Sequence, residues 1–149
     1  MKNAFMTAAV SEALTAYALG EVPVGAVVVR GGTIIARAHN LREAKRDALA
    51  HAEILAIQAA CRAKGDWRLD DCDLYVTLEP CAMCAGAIRQ ARLRRLYFGA
   101  YDPAYGCVVS AARYLDKPAA LHKTEYYCGI MEETCSALIT AFFNERRQG

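Results

Sequence analysis

Short apolar segments that alternate with longer helical segments constrain the fold of this chain more than any other feature of its sequence. Five segments have the length and the β-branched or aromatic content of strands; they read VPVGAVVVR, TIIARAHN, CDLYVTL, RRLYFGA and TEYYCGI. Gly31 and Gly32 separate the first two strands and predict a hairpin turn. We therefore expect an α/β fold, with a largely parallel sheet covered on both faces after an initial antiparallel hairpin.

Helical periodicity marks the segments between and around these strands. Gly20 is a plausible stop for the first helix, and Asp47 or a neighbour is the expected cap of the second. The last predicted helix is amphipathic. The helices are predicted at residues 2–19, in a segment that contains His51 and ends near Lys64, at residues 81–91 and at residues 131–147.

Length and composition indicate one domain over residues 1–149. A chain of 149 residues that is 55% hydrophobic and 23% charged is typical of a globular protein. The first residues, MKNAFMTAAVSEALTAYALG, are interrupted by Glu12 and lack a clean cleavage site, and no apolar run reaches the ~20 residues of a membrane span. Seven cysteines, an odd number, favour buried thiols and a metal site over a disulfide framework. We expect a cytoplasmic protein without a membrane partner; the net charge of +2 decides nothing about nucleic acid.

The stretch AHAEILAIQAA places His51 and Glu53 two residues apart at the start of an alanine-rich helical segment. Within a helix, positions two apart point about 200° apart around the axis, so these side chains could not share one site. They can share a site in the first turn, where side chains reach beyond the helix end. The spacing therefore predicts a site at the amino end of this helix.

The stretch TLEPCAMC places Cys81 and Cys84 on one side of the start of another helix. The positive end of the helix dipole favours thiolates there. Together with His51 they make three zinc ligands, the number typical of catalytic sites that keep the fourth position for water. Two alternatives are a redox pair of cysteines and a closed structural site that uses Cys72 or Cys61 as fourth ligand.

Glu53 distinguishes these possibilities, since only a hydrolytic site needs it. Zinc with two thiolates is formally neutral and acidifies its water less than zinc held by three histidines. Another group must take the proton, and Glu53 can accept it and return it to a substrate nitrogen. We therefore predict Glu53 as the catalytic acid and base, and one Zn²⁺ per chain.

The pattern H-x-E followed by P-C-x-x-C is the signature of zinc nucleobase deaminases. The sequence resembles the bacterial tRNA-specific adenosine deaminase family over nearly its whole length, in the segments EVPVGAVVV, AHN, DALAHAEI, WRLDDCDLYVTLEPCAMCAGAI, RRLYFGAYDP and CGIMEETCSALITAFF. This resemblance implies a cytidine-deaminase-like three-layer α/β/α sandwich with a five-stranded mixed sheet. It also implies a homodimer that hydrolyses adenosine to inosine at the wobble position of an arginine tRNA.

The resemblance also assigns roles to residues outside the predicted zinc site. Asn40 is similar to the asparagine that hydrogen-bonds the flipped nucleotide, and Asp102 fits the family pattern after the fourth strand. Pro23 and Val24 would line the pocket wall, and the backbone of Ala52 would face the base. The terminal FFNERR resembles the helix that supports the anticodon loop, with aromatic rings for bases and arginines for phosphates; these residues are Phe142, Phe143, Arg146 and Arg147.

The chain departs from the family pattern on the substrate side. Tyr101 replaces an arginine and Ala104 a lysine, and Leu121 and His122 stand where the family has an N-H pair. Two other functions therefore stay open: deamination of a free nucleobase or nucleoside such as guanine or cytosine, and a non-catalytic zinc fold, against which Glu53 argues. The alternative for the terminal arginines is that they are solvated charges that suit the helix dipole. Glu79 is expected to satisfy nearby backbone rather than to catalyse.

Overall fold

A computed structural model describes residues 3–118 and 122–148. The strands are β1 (Gly25–Arg30), β2 (Thr33–His39), β3 (Cys72–Leu78), β4 (Arg95–Ala100) and β5 (Glu125–Tyr127). The helices are α1 (Ala4–Ala18), α2 (Arg42–Lys45), α3 (Ala52–Lys64), α4 (Ala82–Gln90) and α5 (Glu132–Gln148), with a 3₁₀ turn at Tyr114–Asp116. The predicted strands and helices are present, while the short α2 was not predicted. Residue 2 and Leu121, named in the sequence analysis, lie outside the described residues.

The five strands form one mixed sheet in the order β2-β1-β3-β4-β5. β1 is antiparallel to both β2 and β3, whereas β4 is parallel to β3 and to β5. Four of the five strands therefore run in one direction, so the expected largely parallel sheet with an antiparallel hairpin is confirmed, whereas the antiparallel pairing of β1 with β3 was not predicted. The physical reason is the crossover through α3, which carries the chain from β2 over β1, so that β3 runs in the same direction as β2 but pairs with β1.

Helices cover both faces of the sheet. Along β1, Ala26 and Val28 belong to the core on the side of α3 and α4, while Val27 and Val29 belong to the core on the side of α1 and α5. This alternation follows from the two-residue period of a strand. At Gly25, a Cβ would lie 2.0 Å from a backbone oxygen of α1, so the helix packs where only glycine fits. The predicted three-layer sandwich is confirmed.

The two helices that approach the predicted site begin without side-chain caps. α3 begins at Ala52, and His51 occupies its N-cap position with extended backbone and no side-chain capping hydrogen bond. Asp47 is not the cap of this helix, contrary to expectation, because its carboxylate accepts the backbone N–H of Leu49 at 2.9 Å. Cys81 likewise occupies the N-cap of α4 without capping it. Both side chains are therefore available for another role.

Within residues 3–118 and 122–148, no helix combines the length and the apolar character needed to cross a membrane.

Candidate active site

The side chains of His51, Cys81 and Cys84 meet where the first turns of α3 and α4 converge. The Nδ1 atom of His51 lies 3.7 Å from Sγ of Cys81 and 3.6 Å from Sγ of Cys84, and all three donor atoms lie within 4.8 Å of one another. A tetrahedral zinc with Zn–S of about 2.3 Å and Zn–N of about 2.0–2.1 Å separates its sulfur and nitrogen ligands by about 3.5 Å. The observed spacing therefore fits zinc without rearrangement.

Protonation in this group also fits a metal site. The hydrogen bond from Cys84, followed by that from His51, lowers the pKa of Cys81 to about 4, so Cys81 is a thiolate. The hydrogen bond to Cys81 raises the pKa of His51, and the same thiolate together with burial raises the pKa of Cys84. Metal ligands bind in their deprotonated form, so a divalent cation held by these residues would replace the proton of the Cys84 thiol.

A fourth cysteine does not join this group. The thiol of Cys72 contacts Asp71 and that of Cys61 contacts the carbonyl of Trp67. In the part of the chain that the structure describes, His51, Cys81 and Cys84 are the one cluster whose donor atoms could hold a metal. The site therefore has three protein donors, as catalytic zinc sites do, and the closed structural site is not supported.

Glu53 lies beside the three donors in the first turn of α3. Its side chain is 4% exposed and lines the same cavity as His51 and Cys81. Burial raises the pKa of Glu53 to about 7. A carboxyl group with a pKa near neutrality can both accept a proton and return it.

Two of the three donors, His51 and Cys81, line a cavity of about 400 Å³, a size suited to one nucleobase. Predicted residues that line it are Val24, Asn40, Ala52 and Asp102; Pro23 is buried and is not among the lining residues. The cavity is also lined by Val22, Arg42 and Leu78, which were not predicted as site residues. Tyr105 lines it as well. Arg42 follows the predicted pocket residue Asn40 by two positions, and this proximity in sequence is the one signal from which its place in the cavity wall could have been predicted.

Asn40 is held firmly in the wall of this cavity. It is buried, its side-chain amide donates to the carbonyl of Val22 at 3.3 Å, and its Oδ1 accepts the backbone N–H of Arg42 at 3.1 Å. One amide N–H and one oxygen lone pair remain for a ligand.

Glu79 organises the residues on the other side of the cavity. Its buried carboxylate accepts hydrogen bonds from backbone N–H groups of the 102–110 segment and from the hydroxyl of Ser110. Burial alone would raise its pKa, but the hydrogen bonds from Ser110, Val109 and Asp102 outweigh burial and lower it. Glu79 satisfies local backbone, as expected from the sequence.

The predicted RNA-contacting residues of α5 have different environments. Phe142 is 4% exposed and packs edge-on against Tyr17, with ring centroids 5.7 Å apart. Arg146 lies 4.1 Å above the ring of Phe142 and donates to the carbonyl of Gly20 at 2.6 Å. Phe143 is 43% exposed and Arg147 is exposed. Phe142 therefore anchors α5, whereas the ring of Phe143 and the guanidinium of Arg147 are accessible to a partner.

A second cavity of about 390 Å³ lies between α5 and the cavity beside the metal donors. Phe143 and Arg146 line it together with Val22, Asn40 and Arg42, which also line the cavity beside the metal donors. The two cavities therefore share a wall.

Comparisons with known proteins place this site in a family. Residues 1–100 match the model of the cytidine and deoxycytidylate deaminase zinc-binding region. A tRNA-specific adenosine deaminase of Bacillus subtilis (strain 168) is 49% identical over 144 residues, which are 97% of this chain and 89% of that protein.

Solved structures are similar along most of the chain. A chain from studies of A-to-I editing by tRNA:A34 deaminases at the wobble position of transfer RNA has a TM-score of 0.88 and 47% identity, covering 92% of this chain and 99% of its own. A guanine deaminase from Bacillus subtilis has a TM-score of 0.64 and 33% identity, covering 97% of this chain and 95% of its own. The chain therefore belongs to the cytidine and deoxycytidylate deaminase family of zinc enzymes, as a member of the group that includes the tRNA-specific adenosine deaminases.

Proposed function

We propose that this protein hydrolyses adenosine to inosine at the wobble position of a tRNA, with an arginine tRNA as the expected substrate. The observation that carries the proposal is a three-donor metal site with a buried carboxyl group beside it, in a chain nearly half identical to a tRNA-specific adenosine deaminase along almost its whole length. The substrate base is already partly unstacked in a loop, so moving it into the cavity costs less than opening a duplex.

His51, Cys81 and Cys84 would hold one zinc ion. When bound, zinc supplies Lewis-acid activation of a water molecule at neutral pH. His51 and Cys81 lie at the amino ends of α3 and α4, and these helix ends orient the donors toward one point. The buried position of Cys84 keeps that side of the site free of competing solvent.

Glu53 would carry the protons of the reaction. Its carboxylate accepts a proton from the attacking water and donates it to the exocyclic nitrogen of adenosine. Water adds at C6 of the base, its second proton ends on N1 of the ring, the bond from C6 to the exocyclic nitrogen breaks, and ammonia leaves, so inosine keeps the oxygen of water. The raised pKa of Glu53 suits both directions of transfer.

The walls of the first cavity would hold the flipped base. Asn40 offers its remaining hydrogen-bonding capacity to the nucleotide, worth about 1–3 kcal/mol because a buried partner would otherwise stay unpaired. Val24 and the backbone of Ala52 would pack against the base, and Asp102 would contact it from the opposite wall. These contacts would offset the free energy that the base loses when it leaves its stacked position in the anticodon loop.

The second cavity and α5 would contact the rest of the anticodon loop. Phe143 presents a half-exposed ring on which a base can stack, and Arg147 presents an exposed guanidinium for phosphates. Arg146 is already bonded to Gly20, so its contact with RNA would add to a structural role.

We also propose that the protein is a homodimer in the cytoplasm, where its substrate occurs. The outer face of α3 and α4 forms an apolar groove beside Trp67, which is 50% exposed. Ile54, Ala87 and Ala91 line this groove. The family resemblance implies a homodimer, and our proposal is that a second copy of the chain covers this groove.

Deamination of a free nucleobase is the competing function. The similarity to a guanine deaminase and the altered residues at Tyr101 and Ala104 favour it, while the extent of identity to the tRNA-specific enzyme opposes it.

The zinc assignment predicts the metal content of two cysteine variants. The purified protein should contain about one zinc ion per chain, and Cys84→Ala should lose most of it because two donors remain. Cys128→Ala, which removes a thiol outside the cluster, should keep it. Zinc per chain is measured by plasma mass spectrometry. Equal zinc in both variants would overturn the assignment.

The substrate assignment predicts activity on RNA and not on free bases. An anticodon stem-loop with a wobble adenosine should yield inosine, measured by nucleoside chromatography, while adenine, guanine and cytosine release no ammonia. Glu53→Gln should keep zinc and lose about 10²- to 10⁴-fold in rate, the usual contribution of a general acid or base.

The outcomes of this substrate experiment separate the two functions. Ammonia from a free base with unaltered RNA would replace the proposed function by the competing one. Full activity of Glu53→Gln on RNA would remove Glu53 from the mechanism while leaving the substrate assignment intact.

The RNA contact of Arg147 predicts a change in the salt dependence of binding. Arg147→Ala should weaken stem-loop binding and reduce the slope of log K against log salt by about 1, since one phosphate contact is lost. Arg62→Ala, at an exposed position in the last turn of α3, is the matched control and should keep the slope. Binding is measured by fluorescence anisotropy across a salt series; equal slopes in all three proteins would show that Arg147 is an ordinary helix-end charge.

The dimer assignment predicts the mass in solution. Light scattering should give twice the chain mass of 16.3 kDa, and Trp67→Ala should raise the dissociation constant at least tenfold. Leu14→Ala removes a similarly exposed apolar side chain from α1, on the opposite layer, and should leave the dimer intact. A wild-type protein that is monomeric at micromolar concentration would contradict the proposal.

A further inference from the structure

The 102–110 segment, which we call the cavity loop, forms one wall of the cavity without a helix or a strand of its own. It runs from the end of β4 through a series of turns and brings Asp102 and Tyr105 to the cavity. Inside the loop, the Asp102 carboxylate accepts the N–H groups of Ala104 and Tyr105 at 3.2 and 3.1 Å. These bonds shape the tip of the loop but do not attach it to the rest of the protein.

Five hydrogen bonds to one side chain, that of Glu79, attach the loop to the rest of the protein. Its Oε1 accepts the backbone N–H of Asp102 at 3.1 Å and the hydroxyl of Ser110. Its Oε2 accepts the backbone N–H groups of Val108, Val109 and Ser110 at 3.1, 2.9 and 3.0 Å. One carboxylate therefore binds both ends of the cavity loop, and every group that faces its oxygens is a donor.

The cavity loop also packs tightly against Glu79. A Cβ at Gly106 would lie 2.3 Å from the carboxyl carbon of Glu79, so the backbone in the middle of the loop is in close contact with this carboxylate. The N–H of Cys107 donates to the carbonyl of Pro80 at 2.8 Å, the residue between Glu79 and Cys81. The loop is therefore attached to the same short segment of chain that supplies a metal donor.

We propose that Glu79 is a positioning residue that sets the distance between the cavity loop and the metal donors, and so determines how well a substrate base fits the cavity. This inference rests on the proposed function for its substrate. Glu79 acts through Asp102 and Tyr105, which line the cavity, and does not itself line it. A charged acceptor is needed because charge-assisted hydrogen bonds are stronger than neutral ones and because several donors converge on it.

The isosteric variant Glu79→Gln tests the proposal. An amide has one oxygen and one NH₂ group, so whichever way it turns, its NH₂ must face at least one backbone N–H donor. The cavity loop should then detach from residue 79. In hydrogen–deuterium exchange, peptides covering 102–110 should exchange at least tenfold faster, while peptides from α3 and β3 stay unchanged.

Kinetics supply the second measurement. Glu79→Gln should raise KM for the anticodon stem-loop at least tenfold and change kcat less than threefold, with zinc content unchanged. Ser110→Ala removes one of the hydrogen bonds and should give a smaller effect in the same direction. Glu133→Gln makes the same chemical change at an exposed position of α5 and should have no effect.

Each outcome decides the proposal. Loop exchange at the wild-type rate, or a loss confined to kcat, would overturn it. If Glu79→Gln does not fold, Gly106→Ala disturbs the same contact while keeping the charge, and unchanged loop exchange in that variant would overturn the proposal equally. If the wild-type protein does not act on the stem-loop, the proposed function fails, while the exchange experiment still shows whether Glu79 holds the loop.

Discussion

The convergence of the first turns of α3 and α4 is the constraint on which the rest of the site depends. Each helix starts with a residue that does not cap it, although an ordinary capping side chain would stabilise a helix by about 1 kcal/mol. The positive helix ends favour the thiolate of Cys81. Fully buried alanines at positions 56 and 60 of α3 let this helix lie close to the sheet, which holds His51 and Glu53 near the cysteines. The same helix thus supplies both the packing against the sheet and the residues of the site.

The mixed sheet explains why the cavity walls come from distant parts of the chain. Because β1 is antiparallel to its neighbours β2 and β3, its amino end lies at the edge where those strands have their carboxyl ends. Val24 precedes β1, Asn40 follows β2, and Asp102 follows β4, so residues far apart in sequence meet at this edge. Open α/β sheets bind ligands at such an edge.

Local patterns predicted the elements and the donors well. The segment CDLYVTL has the bounds of β3, and the short spacing in HAE and CAMC placed His51, Glu53 and the cysteines at helix starts. The features that the sequence did not predict depend on tertiary structure. The antiparallel pairing of β1 with β3 is set by a crossover, Asp47 is used by a turn, and the burial of Phe142 beside the half-exposed Phe143 is decided by packing against Tyr17. Val22 and Leu78 line the cavity through contacts that one sequence does not reveal.

The short β5 strand has a consequence for how the molecule behaves at high concentration. An edge strand offers unpaired backbone groups to other chains, and long flat edges are templates for aggregation. β5 contributes only Glu125–Tyr127, and its first residue is charged. This edge strand therefore gives a neighbouring molecule little on which to add a strand, which favours a protein that stays dispersed while the cavities at the carboxyl ends of the strands remain accessible to a large polyanion.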